Sequence, residues 1–152
     1  MSFSEQIKDF EQKYNAKVTS VFRGACGQVS VDIAEGSPVS TGTLLGKWEP
    51  SVNSPSSNTY QGGMTAWLFN KKDKGIANAN RAQAMSNLLP RIRESVNGLS
   101  KNDTYYFTND THYIMMAEYE GWATQGGNTR PYHMRENAVL NWQEIVNGRI
   151  NG

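Results

Sequence analysis

The chain has 152 residues, with 15 Lys and Arg against 14 Asp and Glu and a single cysteine, Cys26. That length suits one domain able to bury its own core, and the near balance of charge predicts no broad field drawing nucleic acid or a membrane to the whole surface. Cys26 has no partner, which excludes an internal disulfide and fits a chain made in a reducing compartment.

The opening "MSFSEQIKDFEQKYN" lacks the basic start and apolar run of a secretory signal, and no segment approaches the ~20 apolar residues of a membrane span. A soluble, intracellularly made protein with no membrane partner is the expectation. Seven Tyr, four Trp, five Phe and six Met lie on a background rich in Gly, Asn, Ser and Thr. Such aromatics suit either large contact surfaces or an ordinary core.

From Phe3 the apolar positions Phe3, Ile7, Phe10, Tyr14, Val18, Phe22, Ala25, Val29 and Ile33 recur every three or four residues, which predicts an amphipathic helix over residues 4–35. Asn15, Gly24 and Gly27 weaken its interior, and a bend or break near Asn15 is compatible with the pattern. Gly36 can close the helix in the left-handed conformation, and Pro38 drives Ser37 into extended geometry. After a turn at Thr41-Gly42, "LLGKWEPSV" predicts a short or edge strand stopped by Pro50. "NSPSSNTYQGG" is a polar loop, and "MTAWLFN", residues 64–70, a second strand.

Residues 76–96 again show helical spacing at Ala79, Ala82, Met85, Leu88, Leu89, Ile92 and Val96, with Gly98 at the finish and a kink or restart expected before Pro90. "DTYYFTN", residues 103–109, is the clearest strand. Asn109 or Asp110 can cap a helix over "HYIMMAEYEG". A loop or hairpin around Gly126-Gly127 leads to Pro131 in the first turn of a last helix with the stripe Met134, Ala138, Trp142 and Ile145, ended by Gly148. Helices that do not alternate regularly with short strands predict an α+β fold in one domain over residues 1–152: a long N-terminal helix, then a body over residues 37–152 with a small, mostly antiparallel sheet and a C-terminal helix.

Imidazoles and carboxylates at His112, Glu118, Glu120 and His133 are the residues from which a small hydrolase or a metal site would be built. Their spacing matches no metal-binding pattern, and no Gly-x-Ser-x-Gly elbow or activated cysteine accompanies them. "QGGM" and "QGGN" lack the lysine and the strand-turn-helix frame of a phosphate loop. No catalytic residue, metal or cofactor is therefore expected. "KKDK", residues 71–74, with Arg81, Arg91 and Arg93 supplies either a solvated face or a basic face able to lie near DNA phosphates without reading sequence.

"SPVSTGTLLGKW" resembles the segment Pro-Val-Asp-Thr-Gly-Arg-Leu-Arg-Gly-Ser-Trp that follows the first helix in neck or tail-completion proteins of long-tailed phages. Pro38, Val39, Thr41, Gly42, Leu44, Gly46 and Trp48 match. "YYFTNDTHYIMMAEYEGW" is similar to the same family's strand and following Asn-x-x-Pro-Tyr-Ala-x-x-Leu-Glu-Tyr-Gly, with Asn109, Tyr113, Glu118 and Tyr119 in register. The segment "GGNTRPYHMRENAV" resembles the family's closing loop and helix. Ser40, Thr43, Leu45, His112 and Ala117 depart from the pattern, as does Glu120 inserted before Gly121. The resemblance implies a non-enzymatic virion protein, assembled in the host cytoplasm, that forms a ring, a hexamer or alternatively a dodecamer. Such a ring completes the tail and joins it to the head by binding a connector or head-closure ring and a tail-terminator or tail-tube protein. Loop-borne rings at Trp48, Tyr60, Trp67, Trp122 and Tyr132 are the candidate contacts, each with a core reading beside it. The alternatives are a small hydrolase using His112 and Glu118 and a binding module unrelated to phage.

Overall fold

A computed structural model describes residues 2–39, 43–57, 74–121, 123–124, 127–128 and 130–152. The fold is α+β. Helix α1 spans Phe3–Gly36, α2 Thr43–Gly46, strand β1 Glu49–Val52, α3 Lys74–Asn97, β2 Tyr105–Thr108, a π-helical segment Met116–Glu120, β3 Ala123–Thr124, β4 Gly127–Asn128, and α4 Met134–Asn151.

α1 is a continuous helix of 34 residues, about 50 Å long. It begins one residue earlier than its apolar pattern suggests because Ser2 and Glu5 form a capping box: Ser2 Oγ accepts from the Glu5 amide at 3.3 Å, and the Ser2 amide donates to Glu5 Oε2 at 2.5 Å. The expected break at Asn15 does not occur, since a single weak helix former does not outweigh the hydrogen bonds on either side. Gly36 is the last helical residue and is not left-handed. A Cβ at Gly36 would meet Met134 only at ordinary contact distance, 3.7 Å or more, so the neighbouring packing does not require glycine there either. The stop comes from Ser37, held extended at φ −69° and ψ 133° ahead of Pro38. Ser37 Oγ donates to the Ile33 carbonyl at 3.0 Å, the Ser37 amide to that of Ala34 and Arg81 to the carbonyls of Glu35 and Ser37, so three of the last carbonyls of α1 find donors here.

Part of the expected strand "LLGKWEPSV" is helix: α2 buries Leu44 and Leu45, and only Glu49–Val52 is extended. Pro50 does not stop β1 but sits inside it, opposite Phe107. Among the described residues the ladder has two strands, so the face of Pro50 turned away from β2 meets no ladder partner and the missing N–H breaks no bond. β1 and β2 pair antiparallel from Glu49↔Thr108 to Val52↔Tyr105, and Asn53, left-handed at φ 63°, continues the ladder by donating to the Thr104 carbonyl at 2.7 Å. The expected strand at 64–70 lies outside the described residues.

α3 runs through Pro90 without the expected restart. Pro90 is on its exposed face, so the carbonyl that loses a helical donor there is open to water. α4 begins at Met134 rather than at Pro131 and passes Gly148 to reach Asn151. It lies antiparallel to α1, with Met134 against Gly36 and Arg149 against Gly24. The buried cluster joins Ile33 and Ala34 of α1, Leu44 and Leu45 of α2, Trp48, Ala84, Leu88 and Ile92 of α3, Ala117, and Met134 and Ala138 of α4.

Between β2 and α4 the chain makes a lock. The Gly121 amide donates to the Met116 carbonyl at 2.8 Å, and Gly121 takes φ 70° and ψ −173°, a conformation that only glycine adopts without strain. The π-helical segment leaves the carbonyls of Ala117 and Glu118 open, and the amides of Tyr132 and His133 fill them at 2.9 and 3.2 Å. In return Glu118, 5% exposed, accepts from the amides of Arg135 and Glu136 through Oε1 at 3.0 and 3.2 Å. A buried carboxylate thus caps α4 from seventeen and eighteen positions upstream of the amides it accepts from, the work that an N-cap side chain does locally elsewhere. His133, in the N-cap position itself, is left-handed and gives no side-chain cap.

Candidate interaction surface

Trp48 is not a surface ring. It is 7% exposed, stacks on Phe107 with centroids 4.9 Å apart and planes 7° from parallel, and donates from Nε1 to Ser37 Oγ at 2.9 Å. An indole has one donor, and the turn after Pro38 brings the Ser37 hydroxyl to it, so the ring buries without stranding its N–H. Tyr132 is half-buried against the same cluster. Tyr60, Trp67 and Trp122 lie outside the described residues, as do Thr41 and Gly42.

The remaining residues of the two resemblance blocks hold the fold together. Leu44 is core, and Pro38 and Tyr113 are half-buried. Asn109 Nδ2 donates to the Leu44 carbonyl at 2.8 Å while its Oδ1 accepts from the Thr111 amide at 3.0 Å, so Asn109 ties the first block to the second rather than capping a helix. Tyr119 is partly exposed and accepts from Arg135 Nη1 at 3.1 Å. Burial raises the Tyr113 phenol above its ordinary pKa.

The candidate acid-base groups do not converge. His112 is exposed with its ring edge against Tyr113, His133 Nδ1 faces Glu136 Oε2 at 2.5 Å, and Glu118 Oε1 is engaged by two backbone amides. Among the described residues no three His, Cys, Asp or Glu side chains come together as a metal-binding group. Two arginines of the expected basic face turn inward: Arg81 closes α1, and Arg91 pairs with Glu49 and donates to the Gly46 carbonyl. Arg93 is exposed, and residues 71–73 lie outside the described ones. No described helix is long and apolar enough to cross a membrane.

The surface that stands out was present in the sequence but unassigned to an exterior role. Phe3, Ile7, Phe10 and Tyr14 are 78, 51, 67 and 60% exposed, on the same α1 stripe that enters the core further along at Ala25 and Ile33. The body reaches α1 at Asn15, where Lys101 Nζ donates to Oδ1 at 2.7 Å, and at Arg23, whose Nε donates to the Leu99 carbonyl at 2.6 Å. Upstream of Asn15 the stripe faces solvent. α4 carries a second exposed apolar strip at Val139, Trp142 and Ile150.

Between these helices and the sheet lies a mostly apolar groove of about 400 Å³, lined by Phe22, Cys26 and Val29 of α1, Tyr105 and Phe107 of β2, and Trp142 of α4, with Ser30, Asp103 and Thr104 as its polar members. At its floor Ser30 Oγ donates to the Cys26 carbonyl at 2.9 Å, so the Tyr105 hydroxyl is the donor in its 2.8 Å contact with Ser30 Oγ. Burial pushes the Cys26 thiol up to about 11 and the Tyr105 phenol to about 12. Both are neutral, unreactive walls at physiological pH. No protein-family model, curated protein or solved structure matches this chain.

Proposed function

We propose that this chain is a non-enzymatic virion component of the neck or tail end of a long-tailed phage. It forms a ring, completes the tail and joins it to the head through contacts with an adjacent connector or head-closure ring and a tail-terminator or tail-tube protein. The observation that carries this reading is the exposed apolar start of α1, because four large side chains on one stripe mark a surface made to be covered by protein. The sequence resemblance gives the kind of assembly. Its two blocks touch through Asn109 and Leu44, so they belong to one piece of architecture. The binding reading is favoured over the hydrolytic one because Glu118 is spent on capping α4.

The test is to withhold the chain during infection and examine the products by electron microscopy. Filled heads and finished tails that accumulate unjoined, and join when the purified protein is added, are the expected result. Normal particles made without it would overturn the proposal.

A further inference from the structure

Two apolar features of the described residues match each other in kind: the exposed stripe at the start of α1 and the groove bounded by α1, β2 and α4. We infer that the α1 tip of one copy lies in the groove of the next. This names the contact of the ring proposed above and rests on that reading.

A copy cannot fill its own groove. Tip and groove floor share one continuous helix, and Phe10 lies about 18 Å along its axis from Phe22. The occupant therefore comes from another molecule. Tip and groove are different surfaces, so each copy has one tip to give and one groove to fill; paired head to tail, as the ring reading requires, such contacts close into a ring where the rotation between copies closes. An apolar helix face laid in an apolar groove is a recurring mode of recognition.

Sizes agree. An apolar cavity of ~150 Å³ accommodates one benzene-sized ring, so about 400 Å³ receives two aromatic side chains of the tip. Phe3, Ile7, Phe10 and Tyr14 together expose roughly 500 Å² of side chain, taking ~200 Å² for each aromatic. With flanking polar atoms this approaches the ~600–800 Å² per partner of a specific interface. Val139 and Val146 lie one helical turn to either side of the groove-lining Trp142 on α4. The tip's charges, Glu5, Asp9 and Glu11 against Lys8, Lys13 and Lys17, cancel, so no net field opposes docking.

Two single substitutions test the pairing under mild oxidation of the full-length protein, each in a Cys26→Ala background because Cys26 itself lines the groove: Ile7→Cys on the tip and Val146→Cys one turn from Trp142. A disulfide-linked dimer that forms in the mixture, but in neither variant alone nor in the wild type, is the expected result. Linkage within Ile7→Cys alone would mean tip pairs with tip and would overturn the inference. Phe10→Asp, an exposed position that spares the core, is then compared with wild type by sedimentation. Self-association weakened at least about tenfold, with an unchanged circular dichroism spectrum, is expected. A wild-type protein that stays monomeric at high micromolar concentration and forms no mixed disulfide overturns the pairing, whereas the unjoined-particle experiment judges the ring reading separately.

Discussion

Removing the Glu118 carboxylate should loosen α4 more than any other polar change in the described chain. Glu118→Ala leaves two amides at the start of α4, those of Arg135 and Glu136, without their acceptor in a half-buried setting. Loss of a helix cap costs about 1 kcal/mol within a range of ~0.5–2. A negative charge at a partly buried helix N-terminus adds up to ~2 kcal/mol, and the stranded donors cost ~1–3 kcal/mol. These contributions overlap, so the expected loss is about 2–3 kcal/mol. In urea, with a slope near ~2 kcal/mol/M, the midpoint falls by about 1 M. The melting temperature falls by roughly 5–10 °C for a chain of this size. Glu118→Gln keeps an oxygen at the same reach but no charge, and about 1 kcal/mol is its expected cost. Hydrogen exchange should show the Arg135 and Glu136 amides losing protection first. An alanine variant within ~0.5 kcal/mol of wild type would refute the capping argument.

Three further outcomes follow from the same geometry. Trp48→Phe and Ser37→Ala each remove one side of a buried hydrogen bond, so in a double-mutant cycle by chemical denaturation they should couple by about 1 kcal/mol, and additive losses would deny the bond a role. Pro90→Ala, on the exposed face of α3, restores a helical donor and should raise stability by about 1–2 kcal/mol in the same assay; a loss would mean the proline fits a bend that the body requires. Cys26 and Tyr105 have folded-state pKa values raised to about 11 and about 12 from ordinary values of 9.0 and 10.0. Their contribution is therefore full below pH 9 and is lost as pH rises from 9 to 12, because the unfolded chain releases these protons first. Alkaline titration followed by circular dichroism should show that decline, and iodoacetamide should label Cys26 rapidly only in denaturant.

The helices were legible because α1 and α3 carry long apolar stripes, whereas the strand ends were blurred by local devices. Ser2-x-x-Glu5 is a capping signal readable in the chain, and it places the start of α1 better than the stripe does. α2 was hidden because one helical turn of "TLLG" is too short for periodicity to separate from a strand. Pro50 and Pro90 both read as interruptions, yet strand and helix run on through them, since each stands at an edge or exposed face where the group left unpaired is open to water.

The candidate surface was less legible, for a different reason. A stripe of spacing three and four states that a helix face is apolar but not what covers it, so Phe3 and Ile33 look alike in sequence though one is exposed and the other core. Trp48 looked like a loop-borne ring because its hydrogen-bond partner, Ser37, belongs to the end of the preceding helix, and only the turn between them brings the two together. Glu118 looked like a candidate acid because its partners are backbone amides, which leave no mark in side-chain patterns.

The most direct test of the proposed role is quantitative mass spectrometry of purified phage particles, counting this chain against a virion protein of known stoichiometry. A copy number matching a hexameric or dodecameric ring is the predicted result. Absence of the chain from intact particles would contradict the account.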